Sequence, residues 1–185
     1  MLRFIIGILV TVGLIVLIVV LIVTGGNNGP AKPGLNLTNY GANPNSEAEL
    51  TIDGPEISQE EHRQVHISVT ENAVTLTIYK GYQQDVLRSK TYNNNQAAYA
   101  VFLHALQHAN FTKGNGDPNA ADERGSCPSS DRYIMSFSNG SQQLMRYWYD
   151  GCGGGTFGGN LGTTLYLFRG QVPDYSKLVN GTNIY

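Results

Sequence analysis

The fold of this chain is decided by the stretch Val65-His66-Ile67-Ser68-Val69-Thr70-Glu71-Asn72-Ala73-Val74-Thr75-Leu76-Thr77-Ile78. Valine, isoleucine and leucine alternate with polar residues before Glu71, and the alternation resumes after Asn72. A period of two residues is typical of a strand with one buried face. The stretch therefore predicts an antiparallel hairpin whose apolar side faces the protein interior.

Short segments on both sides extend this hairpin into a larger sheet. Residues 86–92 have strand character and complete a meander. Residues 50–52 form a short upstream strand, which ends at the turn Asp53-Gly54-Pro55. Consecutive strands joined by tight turns pair antiparallel, so the same arrangement is expected throughout the sheet.

A second hairpin is predicted in the carboxyl half, where residues 132–138 and 141–149 flank Asn139-Gly140. This dipeptide tolerates the positive φ angles of a two-residue type I′ loop. If Asn139 and Gly140 form the loop, the residue numbers of each opposed pair add up to 279. The numbers 127 and 152 also add up to 279, so Cys127 and Cys152 would lie opposite each other. The register therefore predicts a disulfide at the base of the hairpin, worth about 3 kcal/mol through loop closure.

Two helices are predicted to cover one face of the sheet. The first, residues 96–109, follows three asparagines that can cap its amino end, and it carries a broad apolar flank. The second, residues 161–169, is stopped by Pro173, and residues 175–185 are expected to form an extended tail. The predicted fold class is α+β: an antiparallel sheet, made of a meander plus a carboxyl-terminal hairpin, under about two helices.

An apolar segment without any charge, residues 4–23, precedes this domain. About 20 residues at 1.5 Å each match the roughly 30 Å thickness of a bilayer core. We therefore predict a transmembrane helix that acts as an uncleaved signal-anchor. A cleaved signal peptide is the alternative, although its apolar region is normally shorter and ends at a small-residue cleavage site.

Charge and composition assign the remaining segments. Arg3 lies on the amino side of the span, which places residues 1–3 in the cytoplasm and the rest outside the cell membrane. Residues 24–48, rich in glycine, asparagine and proline, are predicted to form a flexible tether to an extracytoplasmic domain at 49–185. An oxidising exterior also permits the disulfide to persist.

Net charge limits the classes of partner. The 185 residues carry a formal charge of −2 and contain no cluster of lysine or arginine, so no nucleic-acid partner is predicted. Gly153, Gly155 and Gly158 match a dinucleotide fingerprint, but that motif acts in parallel βαβ units, whereas this chain predicts antiparallel hairpins. We expect neither a nucleotide nor another cofactor.

Three groups of side chains are weak candidates for metal or thiol chemistry. His104 and His108 share a helix face but lack a convincing third zinc ligand. Asp117 and Asn119, with Asn115 and Glu123, resemble a calcium loop in which alanine replaces the required glycine. Cys152 lies in a Gly-Cys-Gly context that resembles the core of cell-wall L,D-transpeptidases, but the histidines expected of those enzymes are missing. A structural role is favoured for all three.

Aromatic residues concentrate around the carboxyl-terminal hairpin. Tyrosine and tryptophan offer large contact areas with a polar group, so exposed members of this cluster would form a binding surface. Alternate strand residues must face the interior, so only some of the set can be exposed. The candidates are Tyr133, Tyr147, Trp148, Tyr149 and Phe157.

The predicted single span and four short stretches of sequence resemble those of a known group of proteins. The stretches are Thr51-Ile52-Asp53-Gly54-Pro55, Asp122-Glu123-Arg124-Gly125-Ser126-Cys127-Pro128, Gly155-Thr156-Phe157-Gly158-Gly159-Asn160 and Gln171-Val172-Pro173-Asp174-Tyr175. The chain resembles a group of membrane-anchored extracytoplasmic proteins of Saccharibacteria-type bacteria. The resemblance implies a bacterial surface location and carries over no activity or catalytic residue.

Three functions fit these observations. The first is a cell-surface interaction or structural module with a protein or envelope-glycan partner. The second is an envelope enzyme that uses Cys152 or a metal held by His104 and His108. The third is an accessory subunit of a membrane complex, which acts through the span at 4–23.

Overall fold

A computed structural model of the protein describes residues 34–117, 120–182 and 184. The predicted span at 4–23 lies outside these residues. None of the described helices combines the length and the apolar character that a membrane span needs. The described residues from Leu35 onward form one compact unit.

This unit is an α+β fold with one six-stranded antiparallel sheet, as the sequence predicted. The strand order across the sheet is β4-β3-β2-β1-β5-β6. The elements of the described chain are a 3₁₀ helix η1 (Leu37–Tyr40), β1 (Ser46–Asp53), β2 (Arg63–Val69), β3 (Ala73–Lys80), β4 (Asp85–Asn93), α1 (Gln96–His108), β5 (Arg132–Asn139), β6 (Gln142–Asp150), α2 (Leu161–Gly170) and α3 (Tyr175–Val179).

The central hairpin forms with the predicted alternation. In β2 and β3, Val65 pairs with Ile78 and Ile67 pairs with Leu76, and all four side chains are buried. The helix α1 also begins where expected, because the Asn95 side chain accepts a hydrogen bond of 3.0 Å from the amide of Ala98.

The strand β1 is longer than predicted and joins the two halves of the sheet. It pairs with β2 on one side and with β5 on the other. Every second residue from Ser46 to Ile52 is fully buried. The strand begins with serine and alanine at its inward positions, Ser46 and Ala48, so its first half lacks the apolar signal of a strand.

The folded unit therefore starts earlier than the predicted tether at 24–48 allowed. Leu37 in η1 is fully buried, and its amide donates a 2.8 Å hydrogen bond to the Gln107 side chain on α1. Residues 37–48 belong to the domain, because a single buried leucine and the small inward residues of β1 are enough to fix them. Residues 24–33 lie outside the described part.

The carboxyl-terminal hairpin has a different register from the predicted one. Asn139 remains in the strand and pairs with Gln142, so the loop is Gly140-Ser141. Paired residues therefore sum to 281, and to 282 beyond a bulge at Phe137/Ser138. Gly140 has φ of 57°, whereas Ser141 has no positive φ, so the type I′ turn predicted for Asn139-Gly140 is wrong.

The helices pack on one face of the sheet and enclose the core. Buried side chains of α1, such as Phe102 and Leu106, contact the inward residues of the strands, together with Phe168 of α2. The predicted extended tail is corrected, because residues 175–179 form α3 and bury Leu178 against this core. Inside the core, burial raises the pKa of Tyr99 to about 12, and its hydroxyl lies 3.0 Å from Ser46 Oγ.

Candidate functional site

The second face of the sheet is polar and forms the candidate site. Alternation places the intervening residues of β1, β2 and β5 on this face, opposite the helices. Among the described residues, no helix covers it. The strands carry a groove of about 240 Å³, lined by Glu49, Thr51, Gln64, His66, Gln84, Glu123, Ile134, Ser136 and Arg146.

Glu49 of β1 is the centre of the groove. Its two carboxylate oxygens contact different neighbours: His66 Nε2 lies 3.2 Å from Oε1, and Ser136 Oγ donates to Oε2 at 2.7 Å. The hydrogen bond with His66 lowers the pKa of Glu49, and that with Ser136 adds to the effect against the opposing influence of burial. Glu49 is therefore an ionised and firmly positioned acceptor at neutral pH.

A second ion pair forms the wall of the groove on the β6 side. Arg146 donates from Nη2 to both carboxylate oxygens of Glu123 at 2.7 Å, and from Nη1 to the carbonyl oxygen of Ala121 at 2.9 Å. The indole of Trp148 donates to the carbonyl oxygen of Ala120 at 2.7 Å. These bonds fasten residues 120–123 against β6 and make them a fixed rim.

The remaining lining groups complete a set of mixed donors and acceptors. The side-chain amide of Gln84 donates to that of Gln64 at 3.0 Å, and Thr51 contributes a hydroxyl. His66 and Ser136 contact separate oxygens of Glu49, so they are not arranged as a base and its nucleophile. The groove has the chemistry of a hydrogen-bonding recognition site for a polar ligand.

The aromatic residues predicted as a binding surface are buried or half-buried in the structure. Trp148 and Phe157 are 7% and 8% exposed, and Tyr133, Tyr147 and Tyr149 are half-buried and pack against the core. The three tyrosines lie on the inward side of the hairpin, because Tyr133 pairs with Tyr149 and Tyr147 pairs with a fully buried methionine of β5. The tyrosines and Phe157 therefore pack with the core, whereas Trp148 pairs with Ile134 on the opposite face and is covered by residues 120–123.

The weak metal candidates also remain apart. His104 and His108 are exposed with their ring centroids 4.6 Å apart, and no third ligand joins them among the described residues. In the calcium-like loop, Glu123 is paired with Arg146, Asp117 is exposed, and Asn119 lies outside the described part of the chain. Among the described residues, neither group gathers three candidate ligands, so both stay weak candidates.

The disulfide between Cys127 and Cys152 is present, with a Cα–Cα distance of 5.9 Å. Asp150 is buried beside it and accepts hydrogen bonds from Ser126 Oγ at 2.6 Å and from the amides of Cys152 and Gly154. Because the two sulfurs are bonded to each other, this cluster is not a metal site. The glycines at 153 and 155 serve a tight turn, with positive φ at both.

A charged network at one end of the sheet was not predicted from the sequence. Arg132 is 3% exposed and donates to Asp53 at 2.7 Å and to Glu56. Buried His62 lies between two acceptors, with Nε2 3.0 Å from Asp53 and Nδ1 3.0 Å from the Pro55 carbonyl oxygen. The sequence offers one signal for this network. A predicted strand begins with Arg132, and another predicted strand ends at Asp53, its partner in the sheet.

No model of a known protein family matches this chain, and no curated protein matches its sequence. The geometry of the groove and the chemistry of its lining are therefore the basis for assigning a function.

Proposed function

We propose that this chain is a binding module displayed on the outer side of a cell membrane by the predicted span at 4–23. Its ligand is a polyhydroxylated component of the envelope, such as a glycan, which the groove on the open sheet face contacts. The observation that carries the proposal is the fixed network around Glu49, which holds several donors and acceptors in one groove.

The chemistry of the lining supports this ligand class. Ionised carboxylates accept hydrogen bonds from sugar hydroxyls, whereas amides and hydroxyls both donate and accept. Ile134 is the one apolar side chain in the lining, so an apolar ligand gains little from desolvation there. Because Glu49 and Glu123 are already held by their neighbours, binding requires little side-chain ordering.

Saccharide binding by the full chain in lipid nanodiscs tests the proposal. The probes are a glycan array and isolated bacterial cell-wall polysaccharide. We expect Glu49→Gln to weaken binding about tenfold or more, because it keeps the shape of the side chain but removes the charged acceptor. Thr75→Ala is the matched control, since Thr75 lies on the same face but pairs with Thr91 outside the groove.

Two outcomes would contradict the glycan proposal. If every probe bound no better than to an empty nanodisc, the chain would not be a saccharide-binding protein. Equal binding by Glu49→Gln and the parent chain would show that saccharides bind elsewhere.

The enzyme alternatives receive less support. Cys152 has no free thiolate while it is bonded to Cys127, so it lacks the nucleophile of a thiol enzyme. The accessory-subunit alternative predicts that an unrelated span cannot replace residues 4–23, whereas the binding module tolerates the exchange. Ligand binding by a span-swapped chain distinguishes these two functions.

A further inference from the structure

The groove on the open sheet face carries an excess of negative charge. Its lining contains two carboxylates, Glu49 and Glu123, and one guanidinium, that of Arg146. Both carboxylate oxygens of Glu123 accept from Arg146 Nη2, and Nη1 of the same guanidinium donates to a backbone carbonyl oxygen. The positive charge of Arg146 is therefore matched by Glu123. With His66 counted as neutral, Glu49 adds one negative charge that no cation of the lining balances.

Glu49 also keeps part of its hydrogen-bonding capacity for a ligand. In the described part of the chain, its contacts are the ring of His66 and the hydroxyl of Ser136, and it forms no ion pair with a lysine or arginine. An ionised carboxylate offers about four acceptor positions, so these two contacts leave about half of them open. The Glu49 side chain is 28% exposed, so a ligand in the groove can reach it.

The strand that carries Glu49 places a second carboxylate on the same face. Alternation along β1 directs Glu47, Glu49 and Asp53 away from the helices. Asp53 is paired with Arg132 at 2.7 Å, whereas Glu47 accepts from the Ser68 hydroxyl and has no ion pair among the residues that the structure describes. A ligand at Glu49 therefore meets another carboxylate about 7 Å along the strand.

This distribution of charge separates the chemical classes of glycan. A sugar carboxylate or phosphate would place a like charge beside Glu49, and the guanidinium of Arg146 is already held by Glu123. A neutral hydroxyl can donate to Glu49, but an ammonium group donates charge-assisted hydrogen bonds, which are roughly twice as strong. Because Glu49 is partly buried, water and salt screen this attraction less than at an open surface.

We propose that the groove selects glycans that carry a primary ammonium group, such as an amino sugar without an N-acetyl group, and that Glu49 binds this group. The inference rests on the proposed function and names the chemical group by which the glycan is recognised. The neutral side chains of Thr51, Gln64 and Gln84 line the same groove and bind hydroxyl groups of the sugar.

Matched oligosaccharides test this selectivity. The full chain is placed in nanodiscs of phosphatidylcholine, which carries no net charge, and binding is measured at pH 7 by titration calorimetry against empty discs. One set is the glucosamine hexamer and its N-acetylated form. The other is a β-1,4-linked glucose hexamer with hydroxyl, amine or carboxylate groups at C6.

We expect the ammonium form of at least one set to bind about tenfold or more tightly than its neutral form, because it adds a charge-assisted hydrogen bond. The carboxylate form should bind most weakly of all. The set that shows the preference identifies whether the ammonium group is recognised on the sugar ring or at C6.

Three variants assign the preference to Glu49. Glu49→Gln keeps the shape of the side chain but removes its charge, so it should reduce the ratio of the two affinities to about threefold or less. Glu49→Asp keeps the charge and should retain most of the preference. Glu71→Gln is the matched control, because it removes the same charge from the turn between β2 and β3, outside the groove lining, and should leave the ratio unchanged.

A salt titration of the parent chain needs no variant at position 49. Raising the salt concentration from about 0.05 M to about 0.5 M should weaken binding of the ammonium form and leave that of the neutral form unchanged. Equal salt dependence of the two forms would contradict recognition by charge, even if Glu49→Gln did not fold.

The other contrary results separate this inference from the proposed function. Equal affinities for the ammonium and neutral forms in both sets would overturn the selectivity and leave glycan binding intact. A preference that persists in Glu49→Gln, or that disappears in Glu71→Gln, would show that Glu49 does not bind the ammonium group. If no hexamer bound but cell-wall polysaccharide did, the ammonium selectivity alone would be wrong. If neither bound, the proposed function would be wrong as well.

Discussion

Asp150 shows how a single buried carboxylate organises the base of the carboxyl-terminal hairpin. Its oxygens accept from the Ser126 hydroxyl and from the amides of the 151–155 turn. The Ser126 hydrogen bond, followed by the amides of Gly154, Cys152 and Gly153, lowers the pKa of Asp150 below its ordinary value of 3.8. The turn therefore depends on the charged form of this residue.

Replacement of Asp150 by asparagine is expected to reduce stability by about 1 to 3 kcal/mol at pH 7, because two amides lose a charged acceptor. The pKa of Asp150 is lowered in the folded state, so its stabilising effect is complete above the unfolded pKa and is lost as pH falls through the folded pKa. The gap between parent and Asp150→Asn should therefore narrow below about pH 4. Thermal unfolding of both proteins between pH 7 and pH 3 measures this difference in stability.

Other carboxylates with lowered pKa values, including Glu49, titrate equally in both proteins and cancel in this difference. A gap in melting temperature that stays constant down to pH 3 would show that the charge of Asp150 does not support the turn.

At the scale of single residues, the sequence predicted the roles that depend on local or covalent chemistry. The cap at Asn95 follows from its position before an apolar helix, and both cysteines had one available partner. The groove around Glu49 was missed because Ser136 lies 87 positions away and meets it only through the pairing of β1 with β5. The side of the hairpin on which each aromatic residue lies could not be read from the sequence, because strand alternation alone does not reveal which face is buried.

The strands and turns are held together at one end by the charged network around Arg132. Its guanidinium joins Asp53 at the end of β1 to Glu56 in the following loop, and the ring of Tyr82 stacks on His62 at 4.2 Å. The amide of Glu56 also donates to the carbonyl oxygen of Pro128 at 2.7 Å. Arg132 and Glu56 together therefore link two strands, a loop and the disulfide segment.

Removal of this arginine should unfold the domain more readily. Arg132→Met leaves Asp53 and Glu56 without their cation and is expected to cost about 3 kcal/mol or more. Arg124→Met is the matched control, because the Arg124–Asp122 pair is on the surface and its loss should leave stability within experimental error. Urea unfolding of both variants measures the difference, and equal midpoints would show that the buried network contributes nothing.

The disulfide is the second element-level constraint, and its removal is expected to cost about 3 kcal/mol. It closes a loop across a sequence separation of 25 residues, which restricts the unfolded chain. The variant with Cys127→Ser and Cys152→Ser should match the parent protein under reducing conditions in urea unfolding. Both should unfold at lower urea than the oxidised parent, and an unchanged midpoint would contradict this role.

The elements predicted well were those with strong local patterns. The β2–β3 hairpin alternates without interruption, and α1 combines asparagine caps with an apolar flank. The register of the last hairpin was wrong because Asn139 stays in the strand and a bulge follows at Phe137/Ser138. The disulfide nevertheless forms, because the turns after Cys127 and after Asp150 bring the two sulfurs together. Its formation does not depend on the hairpin register from which it was predicted.

For the molecule as a whole, the two faces of the sheet differ in chemistry. The helix layer encloses the core and presents an outer surface poor in charge, while the opposite face carries the polar groove. Membrane display stays a prediction from the sequence. The division between the two faces depends on the position of β1 between the meander and the last hairpin. The strands β1 and β5 pair although they lie far apart in the sequence, so no local sequence pattern indicates their pairing.

Extracytoplasmic display makes a prediction about the state of the two cysteines in cells. An oxidising exterior allows the Cys127–Cys152 bond to form and persist, whereas a reducing cytoplasm keeps thiols free. The full chain, expressed in a bacterial host and alkylated under denaturing conditions, should take up two labels only after reduction, as measured by intact mass. Protease added to intact cells should also remove the domain, because residues 49–185 are expected to lie outside. Two labels without reduction, on a domain that resists the protease, would place it in the cytoplasm and reverse the orientation that Arg3 predicts.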